Sequence, residues 1–209
     1  MTTVRARVAG RGRLWAGFRC AEPVVVIESD DWGLRRRPCA AEVAAWGEPS
    51  DWADEAQETA EDLRRLTAVL TRHVDPVGRA ASLTANVIAA NPDHAAIAAD
   101  GFTTYHDRWL DETMAPGLLT AYREAVAAGV LSLQLHGRAH ADVERWLRDL
   151  REDVPGARAL FEAGADGGLS LVRSDGWRYH SEYVDCRTGA ARSTADLVAW
   201  LAPALDTIE

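Results

Sequence analysis

Pro23-Val-Val-Val-Ile-Glu-Ser-Asp-Asp-Trp-Gly33 is the stretch from which the fold can be predicted. Residues 24–27 are apolar and β-branched, which is typical of a buried strand in a parallel sheet. Four polar residues, 28–31, follow directly. In α/β folds, ligands and catalytic groups collect where the strands end, because the following loops open there. The stretch therefore predicts an acidic site at the carboxyl end of a strand.

A second apolar run, residues 131–135, leads into His136 and His140. If the chain turns helically after that strand, the spacing of the two histidines places both imidazoles on one face. One carboxylate and two neutral imidazoles form a three-ligand set that leaves positions open on zinc or a similar divalent ion. The two strand ends together predict a metal site.

The adjacent aspartates can divide two roles between them. If Asp31 binds the metal, Asp30 is left beside it as a general base for the bound water. Successive residues of a regular strand point to opposite faces, so this division requires the backbone to turn at the pair. Water bound to such an ion can have a pKa of about 7, which makes amide or ester hydrolysis the predicted reaction class.

Other interpretations of these residues stay open. Adjacent aspartates after a strand are common as helix N-caps or loop acids, and a histidine pair is often structural or solvent-facing. Glu28-Ser-Asp30 also fits the metal motif of a sugar-nucleotide glycosyltransferase, although that interpretation leaves the histidines unexplained.

Composition restricts the class of protein. The chain has 209 residues, 47% of them hydrophobic, which is enough for one domain with a real core. A net charge of −9 makes nucleic acid and anionic membranes poor partners. Its three cysteines are widely spaced, which argues against a disulfide framework. With no signal peptide or membrane-spanning run in the sequence, we expect a cytoplasmic protein.

Helical and strand patterns alternate, which favours a mainly parallel sheet, open or barrel-like. Helices are predicted over residues 50–73, 95–99, 116–129, 143–150, 155–163 and 194–209. Further strands are predicted over residues 169–172 and 178–184, and residues 91–93 form a turn signal. Residues 101–112 are an irregular aromatic segment, in which Tyr105 and Trp109 either stack on a sugar or pack within a buried loop.

Two motifs resemble those of a known family. Ser29-Asp-Asp-Trp-Gly33 is similar to the Thr-Phe-Asp-Asp-Gly motif of polysaccharide deacetylases, carbohydrate esterase family four. His136-Gly-Arg-Ala-His140 is similar to their His-Ser-x-x-His motif. Residues 84–93 and 134–140, with the helix of Trp146, resemble a branch of deacetylase-like proteins that carries a Ser-Asp-Asp-Trp-Gly signature. The resemblance covers roughly residues 23–150.

The resemblance implies metal-dependent removal of N- or O-acetyl groups from sugars. Carried over by position, Asp30 would be the general base, and Asp31, His136 and His140 would hold the metal, expected to be zinc. The residues expected to contact an acetylated carbohydrate are Trp32, Arg138, Tyr105 and Trp109. The alternative is a non-catalytic or truncated carbohydrate-binding or partner-dependent domain of the same fold.

The resemblance also implies a distorted (β/α) barrel. Such a barrel needs about 250 residues, whereas this chain ends at residue 209 within a helical pattern. We therefore expect a single α/β domain, residues 1–209, whose barrel is incomplete at its carboxyl-terminal part. The family's later motifs, including the Leu-x-His segment that supplies the general acid, have no counterpart. An exposed sheet edge would favour self-association into a homo-oligomer.

Overall fold

The computed structural model describes residues 25–35, 57–111, 113–162, 164 and 179–208. The elements in chain order are β1 (Glu28–Trp32), α1 (Ala60–Leu70), β2 (Leu83–Ile88), β3 (Ala90–Pro92), α2 (His94–Ala99), β4 (Asp107–Trp109), α3 (Leu118–Ala127), β5 (Leu131–Gly137), α4 (Val143–Arg151), α5 (Pro155–Glu162) and α6 (Thr194–Ile208). β1, β2 and β5 form a parallel sheet in the order β1-β2-β5, and β3 pairs with β4 in an antiparallel ribbon. The predicted α/β class with a parallel sheet is confirmed.

Parallel neighbours need long crossover connections, and helices α1 and α3 lie in two of them. α1 begins at a capping box, in which Thr59 and Asp62 accept each other's backbone N–H groups. Leu63 and Leu70 of α1 join the buried face of α3 in a core that covers one face of the sheet. That core fixes the three strands, and with them the loops at their carboxyl ends.

A second core lies behind the histidine segment. Trp146 and Leu150 of α4 are fully buried and pack with Ile97 of α2 and Phe161 of α5. Asp142 starts α4 by accepting the backbone N–H of Arg145 at 3.3 Å. The helix is thereby anchored two residues after His140 and supports the end of that loop.

β1 starts later than the sequence indicates. The side chains of Val25, Val26 and Ile27 are 81%, 72% and 44% exposed, so the prediction of a buried strand over residues 24–27 is wrong for those described. Pairing with β2 begins at Glu28, opposite Thr84, and only the backbone carbonyl of Ile27 joins it. The acidic residues therefore lie within the strand, at an edge of the described sheet, rather than after it.

The helix predictions are confirmed with shifted ends. Residues 50–56 of the first predicted helix lie outside the described residues, and α1 begins at Ala60. α3 starts at Leu118 because Gly117, in a left-handed conformation with φ 75°, forms its N-cap. Within the described part of the chain, no helix is long and apolar enough to cross a lipid bilayer.

Two predictions about strands and turns are wrong, and a third cannot be compared with the structure. Residues 91–93 are not a free turn, because Asn91 and Pro92 belong to β3, and the aromatic segment contains its partner β4. Residues 179–184 form no strand, and only an isolated bridge joins Val184 to Ala191. The strand predicted over residues 169–172 lies outside the described residues. The parallel strands that are described form an open sheet with edges at β1 and β5, not a closed barrel.

Candidate metal centre

Asp31, His136 and His140 meet at the carboxyl-terminal end of the sheet. Oδ1 of Asp31 lies 3.4 Å from Nε2 of His140 and 3.6 Å from Nε2 of His136. One ligand atom of each residue lies within 4.8 Å of the other two. Two ligands at about 2.0–2.1 Å from a tetrahedral zinc are roughly 3.3 Å apart, so these spacings nearly match one shared ion. All three side chains are partly exposed, which leaves a side open to water or substrate.

A β-bulge orients the side chains of Asp30 and Asp31 in different directions. The register pairs Ser29 with Ala85 and Trp32 with Val87, so Asp30 and Asp31 together stand opposite Asn86. Asp31 adopts a left-handed φ of 66°, a conformation that aspartate tolerates better than most residues. The backbone turn that the division of roles requires is therefore present at the pair.

Asp30 and Asp31 consequently contact different groups. Oδ1 of Asp30 accepts a hydrogen bond of 2.6 Å from Nδ2 of Asn86 on the neighbouring strand, whereas Oδ1 of Asp31 faces the two histidines. Asp30 is exposed, with its carboxylate oriented by that amide. The structure thus separates one carboxylate that could hold an ion with the histidines from one that contacts Asn86 and is exposed.

The histidines converge by a different route from the expected helical turn. His136 belongs to β5, the chain bends over residues 138–141, and α4 begins only at Val143. His140 adopts a left-handed φ of 50°, which returns its ring towards that of His136, with centroids 5.3 Å apart. The two histidines therefore meet because His136 lies near the end of a strand and His140 is a left-handed loop residue. They do not lie on one face of a helix.

A carboxylate holds the turn that follows Asp31. The backbone N–H of Gly33 donates to both carboxylate oxygens of Glu58, at 3.0 and 3.1 Å, and the Tyr122 hydroxyl donates to Oε1 of Glu58. Burial raises the pKa of Glu58, while the hydrogen bonds from Tyr122 and Gly33 act in the opposite direction. Burial and the nearby Glu58 raise the pKa of Tyr122, so the phenol remains a neutral donor.

Another carboxylate, Glu182, holds the histidine loop. This residue is only 3% exposed, and its two oxygens accept the backbone N–H groups of Arg138, at 2.8 Å, and Ala139, at 3.0 Å. The neighbouring Tyr183 hydroxyl donates to the carbonyl oxygen of His136 at 2.5 Å. Sequence patterns missed both Glu58 and Glu182, because a single acid far along the chain from the loop it supports has no characteristic spacing.

The four residues expected to contact a sugar have partners within the protein. The Arg138 guanidinium pairs with both carboxylate oxygens of Asp107, lies 3.9 Å from the ring centroid of Trp200 and 5.2 Å from that of Trp109. Its side chain is 15% exposed, although it lies between the two histidines in sequence. Arg138 and Trp109 therefore share one half-buried cluster with Asp107 and Trp200.

Trp32 and Tyr105 lie against the two cores. The ring of Trp32 contacts Tyr122 edge to face, with centroids 6.3 Å apart. Tyr105 packs between Trp146, at 6.5 Å, and Trp200, at 5.9 Å. Both aromatic side chains remain partly exposed, and each also packs against a hydrophobic core.

Comparisons of the chain with protein-family models, with curated proteins and with solved structures found no match. The function of the site therefore has to be inferred from its residues and their geometry.

Proposed function

We propose that this chain is a metal-dependent hydrolase that removes N- or O-acetyl groups from a carbohydrate. One observation carries the proposal: Asp31 meets His136 and His140 at spacings that suit a single ion, from segments more than a hundred positions apart. One carboxylate and two imidazoles suit zinc, and three protein ligands are typical of catalytic rather than structural sites. A divalent ion bound there would supply an acidified water and polarise an acyl carbonyl.

Asp30 has the position of a general base in this proposal. It lies in the same strand as Asp31, is exposed, and is oriented by the Asn86 amide. A carboxylate within hydrogen-bond reach of the attacking water would accept its proton and hold it for transfer to the leaving group. Asp30→Asn is therefore expected to retain metal and lose hydrolysis.

A polar face of the sheet supports a carbohydrate as the ligand. Parallel sheets are usually apolar on both faces, but here polar side chains alternate with the apolar ones that pack on the core. The register sets these polar side chains in rows at the strand spacing of about 4.8 Å. The rows are Glu28, Thr84 and Ser132, then Asp30, Asn86 and Gln134, with His136 beyond them. Hydroxyl, amide and carboxylate groups so arranged suit a polyhydroxylated ligand that ends at the metal.

Finer parts of the proposal follow from the resemblance and from the composition and sequence patterns stated above. They are a distorted or incomplete (β/α) barrel, zinc as the ion, an acetylated sugar as the partner rather than nucleic acid or membrane, and a cytoplasmic location. An open sheet edge at β1 or β5 would also favour association with a second copy.

Elemental analysis of purified protein tests the central point. We expect about one divalent ion per chain in the wild type and in His73→Ala, a matched control whose histidine is exposed and lies outside the triad. We expect the ion to be lost in His140→Ala. Release of acetate from a panel of N- and O-acetylated sugars, by the wild type and Asp30→Asn, then tests the reaction. Wild-type protein without ion after reconstitution with zinc would contradict the proposal.

A carbohydrate-binding domain without turnover is the second candidate. The polar face favours it equally, because binding a sugar requires the rows of hydrogen-bonding groups but not a proton acceptor. Metal-dependent binding of sugars, with no acetate released by either wild type or Asp30→Asn, would favour this candidate over the enzyme.

A further inference from the structure

We infer that Glu182 is a positioning residue for the metal centre, which shapes the His136–His140 loop by binding its backbone. The inference rests on the proposed function, because it assumes that the triad binds an ion. Glu182 lies 42 positions after His140, in a segment that none of the metal motifs includes. Its effect on the site passes through the loop between the two histidines.

The carboxylate contacts the loop at its centre. Two consecutive N–H groups, those of Arg138 and Ala139, point at separate oxygens of Glu182. Nε1 of Trp200 in α6 adds a third donor, at 2.5 Å from Oε2. A buried carboxylate is costly unless donors surround it, and here the loop backbone and one indole provide them. The same bonds fix where the loop turns, and therefore where its two imidazoles point.

Gly137 shows how closely the carboxylate approaches. A Cβ atom at this position would lie 1.9 Å from Oε1 of Glu182 and 3.1 Å from its Cδ. Only glycine leaves room for Glu182 between the strand end and the loop. The residue directly after His136 is therefore matched in size to the positioning carboxylate.

Tyr183 extends the same contact to a ligand residue. Its hydroxyl donates to the backbone carbonyl of His136, so adjacent residues 182 and 183 contact the loop at His136, Arg138 and Ala139. His140, by contrast, relies on a left-handed backbone, a conformation that persists only where the surroundings impose it. Loss of the Glu182 bonds should therefore increase the spread of distances between the two imidazoles.

Metal affinity measures this role directly. Groups that orient metal ligands typically change affinity by about 10–100-fold when they are mutated. We expect Glu182→Gln to raise the Kd for Zn²⁺ by about tenfold or more, because the amide can accept only one of the two N–H bonds and places a donor against the other. Tyr183→Phe should raise Kd less, and Glu124→Gln, an exposed control on α3, should leave it unchanged.

The experiment is a competition titration of full-length protein with Zn²⁺ and a chromophoric chelator, repeated with Co²⁺. The visible absorption of bound Co²⁺ reports ligand geometry, and thermal unfolding in chelator reports the fold without metal. A weakened affinity and an altered Co²⁺ spectrum, in Glu182→Gln or in Tyr183→Phe if the first does not fold, would support the inference. Wild-type affinity and spectrum in both variants would overturn it. Failure of the wild type itself to bind Zn²⁺ would instead refute the proposed function, and Glu182's role with it.

Discussion

The two sides of the candidate metal centre are built alike but supported differently. On the aspartate side, Asp31 is left-handed, Gly33 follows it, and Glu58 accepts one backbone N–H. On the histidine side, His140 is left-handed, and Glu182 accepts two backbone N–H groups beside a glycine. Each side thus combines a strained residue, a close approach and a distant carboxylate. The shared pattern indicates that preorganisation of the ligands, not the ligands alone, is a feature of this site.

The supporting carboxylates differ in burial and in their donors. Glu182 is almost fully buried, and its carboxylate accepts hydrogen bonds from two backbone N–H groups and one indole N–H group. Glu58 is partly buried, accepts hydrogen bonds from the Tyr122 hydroxyl and from the backbone N–H of Gly33, and has a raised pKa. The two supports therefore differ in what holds them: backbone and indole N–H groups at Glu182, and a phenol with one backbone N–H group at Glu58.

Gly33→Ala should produce the largest loss of stability on either side. Gly33 has φ 81°, and an added Cβ would lie 2.7 Å from the carbonyl oxygen of Ile88. We expect the free energy of unfolding to fall by about 2–4 kcal/mol, the sum of left-handed strain and a clash in packed surroundings. The control is Gly78→Ala, with φ 84° and no atom within 4 Å, which should lose only about 1–2 kcal/mol. Equal losses in urea unfolding would show that the clash has no effect.

Gly137→Ala tests the other side, where the clash involves a side chain. We expect a loss of about 1–3 kcal/mol, because Glu182 must move from its three donors to admit the methyl group. In a Glu182→Ala background the same substitution should cost much less, since the colliding atoms are gone. A double-mutant cycle by urea unfolding measures this coupling, and additive losses would separate Gly137 from Glu182.

Stability should depend on pH through Glu58. Its folded pKa lies above the ordinary value of 4.5, so the folded state holds this proton to a higher pH than the unfolded state does. The stabilising contribution is complete below the ordinary pKa and is lost as pH rises through the raised one. Relative to Glu58→Gln, the wild type should therefore become less stable as pH rises from 4.5. Urea unfolding of both proteins across that window measures the difference, and an opposite slope would contradict the assigned shift.

The sequence predicted the ligands of the site better than their supports. Asp31 lies near the end of β1, His136 near the end of β5 and His140 in the loop after β5, and the sequence placed the three residues together. Glu58 and Glu182 reach their loops from 25 and 44 positions away, and nothing local distinguishes them from surface acids. The place of Arg138 in the histidine motif predicts a contact with substrate, and only the fold reveals that its guanidinium pairs with Asp107.

Local sequence patterns also could not predict where strand β1 begins. Residues 24–27 have the composition of a strand, yet the ladder to β2 starts at Glu28 because the register is set by the neighbour and not by β1 alone. The bulge at Asp30 and Asp31 depends on the same pairing. From the sequence, a backbone turn at Asp30 and Asp31 could be predicted only because the proposed chemistry requires it. The geometry of the bulge could not be predicted.

Asn86→Ala should have the smallest effect of these substitutions, and it tests the aspartate side, to which the Asn86–Asp30 bond belongs. If Asp30 is the base, loss of its 2.6 Å bond from Asn86 leaves the carboxylate less well oriented while the triad is untouched. We expect kcat for acetate release to fall roughly fivefold, equivalent to about 1 kcal/mol for one exposed hydrogen bond, with unchanged zinc content. Gln134→Ala, which removes the adjacent amide on β5, is the control and should alter KM rather than kcat. A fall in zinc content with Asn86→Ala would mean that the Asn86–Asp30 bond supports Asp31 through the bulge. Asp30 and Asp31 would then act together in holding the metal, instead of having separate roles as general base and metal ligand.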